Sequence, residues 1–394
     1  MNPTLALIIL TAIQVATSFA ATAVLAISPL LVNSLQISPK WIGLYTALLF
    51  AAAAWSSIYF GNRVHRMGSF QVSRICLGMC SLGMLLIGSL DGAAILLGSI
   101  LMGVGYGGIT PASSYYLSQT TALKHRSLLF SIRQSGVPAG AALAAVTVPV
   151  MTQQLGILPA FALPGMLGLI AAACFRARSV THDNAAAGPG ALEQSGLWTA
   201  LLENPKLRTL ALIAFIFSGL QVTVTAMLVP FLNSFANMTI DQAAGFLTLF
   251  NVVGIAFRLV WGRCVDRGWS ALQMLGFSAL LGIAGFAIMA WAAFAVIPWT
   301  MLLVAAVALG VAVIAWNGVL FSEIVAIVPA HKVGQATGLC VFAGFVGVVL
   351  MPTILTQSLE NKHASGLVFT IGAVLSAFTF VLTKNRRRAE VSGA

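Results

Sequence analysis

Twelve long apolar stretches constrain this chain more than any other feature. A helix needs about 20 such residues to cross the ~30 Å hydrocarbon core of a bilayer. The stretches lie at 4–32, 40–60, 71–90, 93–118, 128–152, 156–175, 209–235, 243–261, 270–293, 297–328, 334–357 and 365–383. Only 7% of the 394 residues are charged, against roughly 25% in a soluble domain, too few to coat a soluble body. The runs lack the ten-residue alternation of an outer-membrane barrel. The expectation is an all-α membrane protein with twelve transmembrane helices.

The basic residues set its orientation. With the amino terminus inside, fifteen Lys and Arg fall in inner loops and the carboxyl-terminal tail, including the cluster from Lys384 to Arg388. Two (Lys40 and Lys362) fall outside, and three (Arg74, Arg133 and Arg258) lie within helices. That asymmetry places both termini in the cytoplasm of a multi-pass inner (plasma) membrane protein. The net charge of +11 then reflects orientation and contact with the inner leaflet. It forms no basic domain, so no nucleic-acid partner is expected. The five cysteines show neither metal spacing nor a disulfide framework, and no cleaved signal peptide is visible. Phosphate-binding glycine loops, His-Glu-x-x-His and nucleophile elbows are absent. No enzymatic role, cofactor or metal is therefore expected.

The chain reads as two similar halves: a six-helix half over 1–178, a cytoplasmic linker over 179–207, a second six-helix half over 208–384, and a basic tail over 385–394. The linker holds His182, the turn Gly188-Pro189-Gly190 and Glu193, and Leu197–Leu202 suits a short interfacial helix. Span two runs Ile42-Gly43-Leu44-Tyr45-Thr46 and ends Gly61-Asn62-Arg63-Val64-His65-Arg66-Met67-Gly68. Span eight runs Ala244-Gly245-Phe246-Leu247-Thr248 and ends Gly262-Arg263-Cys264-Val265-Asp266-Arg267-Gly268. Spans five and eleven close with Pro149 to Gln153 and Pro352 to Gln357, and spans one and seven end in Pro29…Asn33-Ser34 and Pro230…Asn233-Ser234. Two equivalent halves that both start inside form pseudo-symmetric six-helix bundles, and rocking of such halves about a midplane site gives alternating access.

These residues resemble the major facilitator superfamily over nearly the whole chain. That family's loop between spans two and three reads Gly-x-x-x-Asp-Arg-x-Gly-Arg-Arg. Gly61, Arg66 and Gly68 fit it, with His65 where Asp is expected, which weakens that loop's latch or makes it pH-sensitive. The second copy keeps Gly262, Asp266, Arg267 and Gly268. Span five, Ser131-Ile132-Arg133-Gln134-Ser135-Gly136-Val137-Pro138-Ala139-Gly140, looks like a degraded Gly-Pro-x-x-Gly-Gly motif of antiporter members. Its Gly136, Gly140 and Ala144 form a small-residue face for close helix approach between the halves.

Ionisable groups inside a membrane are functional candidates. Arg133 either snorkels to the surface or faces the cavity as an anion contact or gate. Its counterpart in span eleven is expected near Ala336, so the charge belongs to one half. Arg258 is expected to join Arg263, Asp266, Arg267 and Glu323 in a charge relay that latches the outward-facing state, and Glu323 is the alternative protonation site. Spans one, two, four, five, seven and eleven, the usual cavity lining, carry no Asp, Glu or His. This favours an anionic or neutral cargo over a lipophilic cation. Gln14, Gln221, Asn251 and Asn317 lie near mid-span as polar site candidates or as helix–helix glue. Tyr45, Tyr115, Tyr116 and Trp316 are candidate cavity walls.

The expected function is secondary transport of a small organic anion or polar metabolite, coupled to protons or by exchange, from a monomer in the bilayer. The alternatives are a drug or metabolite efflux antiporter and, in another class, a non-transporting membrane sensor or partner subunit.

Overall fold

The computed structural model of the chain describes residues 3–38, 40–121, 123–174, 204–236, 238–355 and 362–391. All regular structure among these residues is helical. Twelve segments are long and apolar enough to cross a membrane: Thr4–Ala26, Lys40–Met67, Ser69–Gly88, Gly92–Thr120, Arg126–Leu155, Ile157–Cys174, Pro205–Phe235, Ile240–Asp266, Ala271–Ala292, Trp299–Ile327, Ala330–Leu355 and His363–Arg388. They match the twelve apolar runs one for one and are numbered as spans one to twelve below.

The edges differ where polar residues continue a helix. Span two runs through His65 and Arg66 to Met67, so much of the first loop motif is helical. The last helix continues through the basic cluster to Val391, and Arg386 Nε donates to Thr209 Oγ1 at 3.1 Å. Span one is shorter than its apolar run. It ends at Ala26, and a separate helix, Ser28–Leu35, follows. Pro29 has no N–H for the carbonyl four residues back, and the Ser28 hydroxyl donates to that carbonyl, Leu25 O, at 3.1 Å.

Most of the expected linker, including His182, Gly188, Glu193 and Leu197–Leu202, lies outside the described residues. At its end the Asn204 side chain accepts the N–H groups of Lys206 and Leu207, both at 3.1 Å. This caps the seventh span at Pro205.

The chain forms two compact units that do not follow the two halves of the sequence. The first contains residues 1–121, 136–208 and 327–342; the second contains 122–135, 209–326 and 343–394. The opening turns of span five thus belong with the later spans, and those of span eleven with the earlier ones. In the first unit a core of Phe19, Leu49, Met84, Met102 and Phe161 fills the space between spans one to six. In the second, Phe217, Phe231, Phe250 and Phe286 are fully buried. Each unit brings an even-numbered pair together at a glycine. A β-carbon on Gly103 would run into the Leu49 carbonyl, and one on Gly310 into the Phe250 carbonyl. The repeat read from sequence is therefore also a repeat of backbone contacts.

Candidate functional site: two helix junctions

In the second unit the start of span five packs on the end of span eight. Span five is broken after Gln134, and the helix resumes at Gly136. Pro138 accounts for the break, because it offers no N–H to the Gln134 carbonyl. That carbonyl instead accepts a hydrogen bond from Arg258 Nη1 at 2.6 Å. Arg258 Nη2 and Nε donate to the Ile314 carbonyl at 2.7 and 3.2 Å, where span ten is interrupted at Ala315. The neighbouring Val313 carbonyl takes the Trp316 indole N–H at 3.0 Å. Carbonyls at helix ends carry partial negative charge and are costly to leave unpaired in a membrane. A guanidinium, with five donors in a rigid fork, serves both breaks at once. Arg258 is only 2% exposed.

The N-terminal end of the same short helix is held by Asp266. Its carboxylate accepts the Ser127 N–H at 2.9 Å and the Leu128 N–H at 3.0 Å. The residue preceding the helix, His125, supplies no side-chain cap. Ser127 Oγ donates to Ser322 Oγ at 2.8 Å. Gly262 permits the approach, since a β-carbon there would lie 2.9 Å from the Ser127 carbonyl and 3.0 Å from Leu128 Cα.

The first unit holds the matching junction, between the end of span two and the start of span eleven. A β-carbon on Gly61 would lie 2.7 Å from the Gly334 carbonyl and 3.2 Å from Gly338 Cα. The single Ser57 hydroxyl proton is shared between the Gly338 carbonyl at 3.0 Å and the Ala54 carbonyl of its own helix at 2.7 Å. Short 3-10 turns, Leu123–His125 and Ala330–Lys332, precede the two packed helix starts. Gly68 and Gly268 both adopt left-handed backbone after their junctions, with φ of 82° and 103°, as their lack of a side chain allows. The contacts fix a register in which Gly61 matches Gly262, Gly334 matches Ser127 and Gly338 matches Ser131. Ser57 then corresponds to Arg258, His65 to Asp266, and Cys340 to Arg133. This corrects the sequence-based partner of Arg133 from Ala336 to Cys340, which is buried and also uncharged.

The remaining candidates divide by unit. Arg133 lies on the short helix of span five with 0% exposure. Protein encloses its guanidinium, so snorkelling to the surface does not describe it. Glu323 is half-buried beside Ser322, while Arg263 and Arg267 are exposed and Arg66 lies exposed in the other unit. Asn251 donates to the Leu247 carbonyl of its own helix at 2.8 Å; Gln221 and Asn317 are half-buried. Trp316 is buried, 6.0 Å from the Phe217 ring. In the first unit Gln14 is buried against Gly136. The Tyr45 hydroxyl donates to Met102 Sδ at 3.7 Å within the core. Tyr116 stacks edge-on with Phe70 at 5.0 Å, and Tyr115 packs against the core around Phe60. Gly136 and Gly140 pack on span one of the same half, where Ser18 Oγ donates to the Val137 carbonyl at 2.8 Å. They do not form the expected face between sequence halves. Among the described residues no group of three His, Cys, Asp or Glu side chains could hold a metal ion.

Ser57, Ser127, Ser322 and the two acceptor carbonyls were not anticipated. One signal was available: a proline four residues after Gln134, on a helix facing a membrane-embedded arginine.

The sequence profile of the Major Facilitator Superfamily matches residues 9–352. The chain belongs to the major facilitator superfamily. Solved structures of the same fold include the E. coli fucose:proton symporter, with 16% identity, 96% of this chain and 99% of that chain covered, and a TM-score of 0.72. The human organic anion transporter MFSD10 (TETRAN) follows at 15% identity, 97% and 100% coverage and a TM-score of 0.75. A bacterial homologue of the iron transporter ferroportin, in an outward-facing state, has 14% identity, 95% and 98% coverage and a TM-score of 0.75. No curated protein matches the chain in sequence. Membership of the major facilitator superfamily makes it a multi-pass membrane transporter of small molecules rather than an enzyme.

Proposed function

We propose that the chain moves a small organic anion or polar metabolite by alternating access, coupled to protons or by exchange, in an inner membrane with both termini cytoplasmic. The carrying observation is a charge imbalance in the spans. Arg133 and Arg258 head the fully buried side chains, whereas Glu323, near the inner end of span ten, is the one carboxylate among the described residues that lies within a span rather than in its first or last two residues. Arg258 is engaged by two helix-end carbonyls, which gives it a structural role, and the cargo contact is assigned to Arg133, buried on the short helix that opens span five. Gln14, Gln221, Asn251 and Asn317 complete the candidate polar set. Buried cations are compensated by anions or carbonyls, and a lipophilic cation would add to the imbalance. At 14–16% identity the solved relatives speak to fold, so the cargo argument rests on this charge pattern.

The junctions support movement over a static scaffold. Each is built from a few hydrogen bonds and small residues at the start of span five or span eleven, and such contacts part and re-form without dismantling an apolar core. The test is thermal stabilisation of detergent-purified protein by mono- and dicarboxylates, neutral hexoses and lipophilic cations, wild type beside Arg133→Gln. A ligand at a hundredfold excess over Kd stabilises by about 2.7 kcal/mol. Stabilisation by carboxylates, lost in the variant, is expected. Stabilisation by lipophilic cations that survives in Arg133→Gln overturns the anion reading.

A further inference from the structure

The first unit contains a crevice of about 240 Å³ on the side of the spans away from the amino terminus. Its walls come from the ends of spans one and three, the helix Ser28–Leu35, and the starts of spans two and four. Val24, Leu31, Trp41, Tyr45, Leu90 and Ile95 line it, and no charged side chain does. A polar solute finds nothing to bind there. The volume also falls below the ~300–1,000 Å³ of a pocket that encloses a whole drug-sized ligand, so it suits a single hydrocarbon chain.

The backbone around the crevice is strained. Among the described residues the non-glycine positions with positive φ are Gln36 at 52° and Leu90 at 60°. Leu90 lines the crevice, and Gln36 sits between the lining residues Leu35 and Ile37. Left-handed backbone is unfavourable for a bulky side chain and persists where surrounding structure over-determines it.

The rim supplies both charges of a zwitterionic headgroup. Exposed Lys40 adjoins Trp41, and exposed Asp91, whose Oδ2 caps span four by accepting the Ala94 N–H at 2.9 Å, stands between Leu90 and Gly92, both of which line the crevice. Trp41 is 47% exposed, as an indole at the headgroup level of a bilayer is. We propose that this crevice holds one acyl chain of a resident phosphatidylethanolamine, its phosphate on Lys40 and its ammonium on Asp91. The second unit serves as an internal control. Its repeat-related crevice, between the starts of spans eight and ten, is lined by Gln242, Phe246 and Trp299 among others. The position matching Lys40 there is Asp241, which would repel a phosphate.

The experiment is native mass spectrometry of delipidated protein incubated with equal amounts of dioleoyl phosphatidylethanolamine, phosphatidylglycerol and phosphatidylcholine. One phosphatidylethanolamine is expected to remain bound under activation that strips the other two. Gly92→Phe fills the crevice from a position where a β-carbon meets nothing within 4 Å. It is expected to lower that retention about tenfold or more with an unchanged lipid-free thermal midpoint. Lys40→Glu, at an exposed site, is expected to lower it as well and decides the matter if Gly92→Phe folds poorly. Equal retention of all three lipids, or retention unaffected by these variants, overturns the proposal, as does displacement of the lipid by detergent monomer alone.

Discussion

The junction of spans two and eleven and the junction of spans eight and five share one backbone plan and are fastened by different chemistry. Both set a glycine of an even-numbered span against the first turns of an odd-numbered one, after a 3-10 turn. The first is then held by a serine hydroxyl on one carbonyl. The second is held by a guanidinium on two carbonyls and a carboxylate on two N–H groups. The reason lies in the facing helix. Span five carries Pro138 and loses a hydrogen bond, whereas span eleven has Phe345 at the matching position and stays a continuous helix. A serine suffices where the facing helix is continuous; an arginine serves where a proline has taken the donor of the Gln134 carbonyl. The fold's symmetry therefore does not extend to the energies of its two fastenings.

The largest expected effect removes the arginine. Arg258→Met leaves the Gln134 and Ile314 carbonyls buried without that donor and is expected to cost about 3–5 kcal/mol of stability, measured by thermal unfolding in detergent. Arg258→Lys should fall between, because one ammonium cannot reproduce the planar fork. In a Pro138→Ala background, which restores an N–H to the Gln134 carbonyl, the Arg258→Met loss should shrink by about 1 kcal/mol. An undiminished loss would mean that the proline is not what makes the arginine necessary.

Crowding the first junction should come next. Gly61→Val drives a side chain towards Gly334 and Gly338, with an expected cost of about 1–3 kcal/mol. Native Cys340 is buried in that region, so its maleimide labelling, read by peptide mass spectrometry, is expected to rise. Unchanged labelling would show that the helices absorb the bulk without parting. Asp266→Ala is a smaller change at the second junction, about 1–2 kcal/mol for a lost cap. Faster hydrogen exchange at the Ser127 and Leu128 amides should accompany it, and exchange at wild-type rates would show that water or another group caps them equally well.

Most of the fold was legible because hydrophobic length is a local property. Each span is written in its own twenty residues, and the repeat survives in short motifs such as Gly61…Gly68 and Gly262…Gly268. The break after Ala26 was also present locally, in Pro29, but an apolar run does not register a missing N–H. The site was legible only as a cast of residues. Arg258 and Asp266 stood out as charges, yet their partners are main-chain groups of Gln134, Ile314, Ser127 and Leu128, which carry no signature in a sequence. Gly136 and Gly140 announced a close contact, which was expected between the halves, whereas Ser18 of span one in the same half, more than a hundred residues earlier, answers it. The register of the junctions, which equates Arg133 with Cys340, likewise emerges only once the helices are packed.

The finest test makes the two junctions alike. His65 stands four residues after Gly61, as Asp266 stands four after Gly262, and its Nε2 is buried with no hydrogen-bond partner among the described residues. The first turn of span eleven thus lacks the carboxylate that caps span five, although its approach through a 3-10 turn is the same. His65→Asp places an acceptor in register with the Gly334 and Gln335 amides, the equivalents of Ser127 and Leu128. A gain of about 0.5–1 kcal/mol is expected, with slower exchange at those two amides and lower labelling of Cys340. The dipole part of that gain should weaken with salt, whereas the hydrogen bonds should not. If the variant leaves amide exchange and labelling where they were, the carboxylate is not what separates the junctions. The asymmetry would then reside wholly in Pro138 and Arg258, and the first junction would be complete with its serine and its glycines.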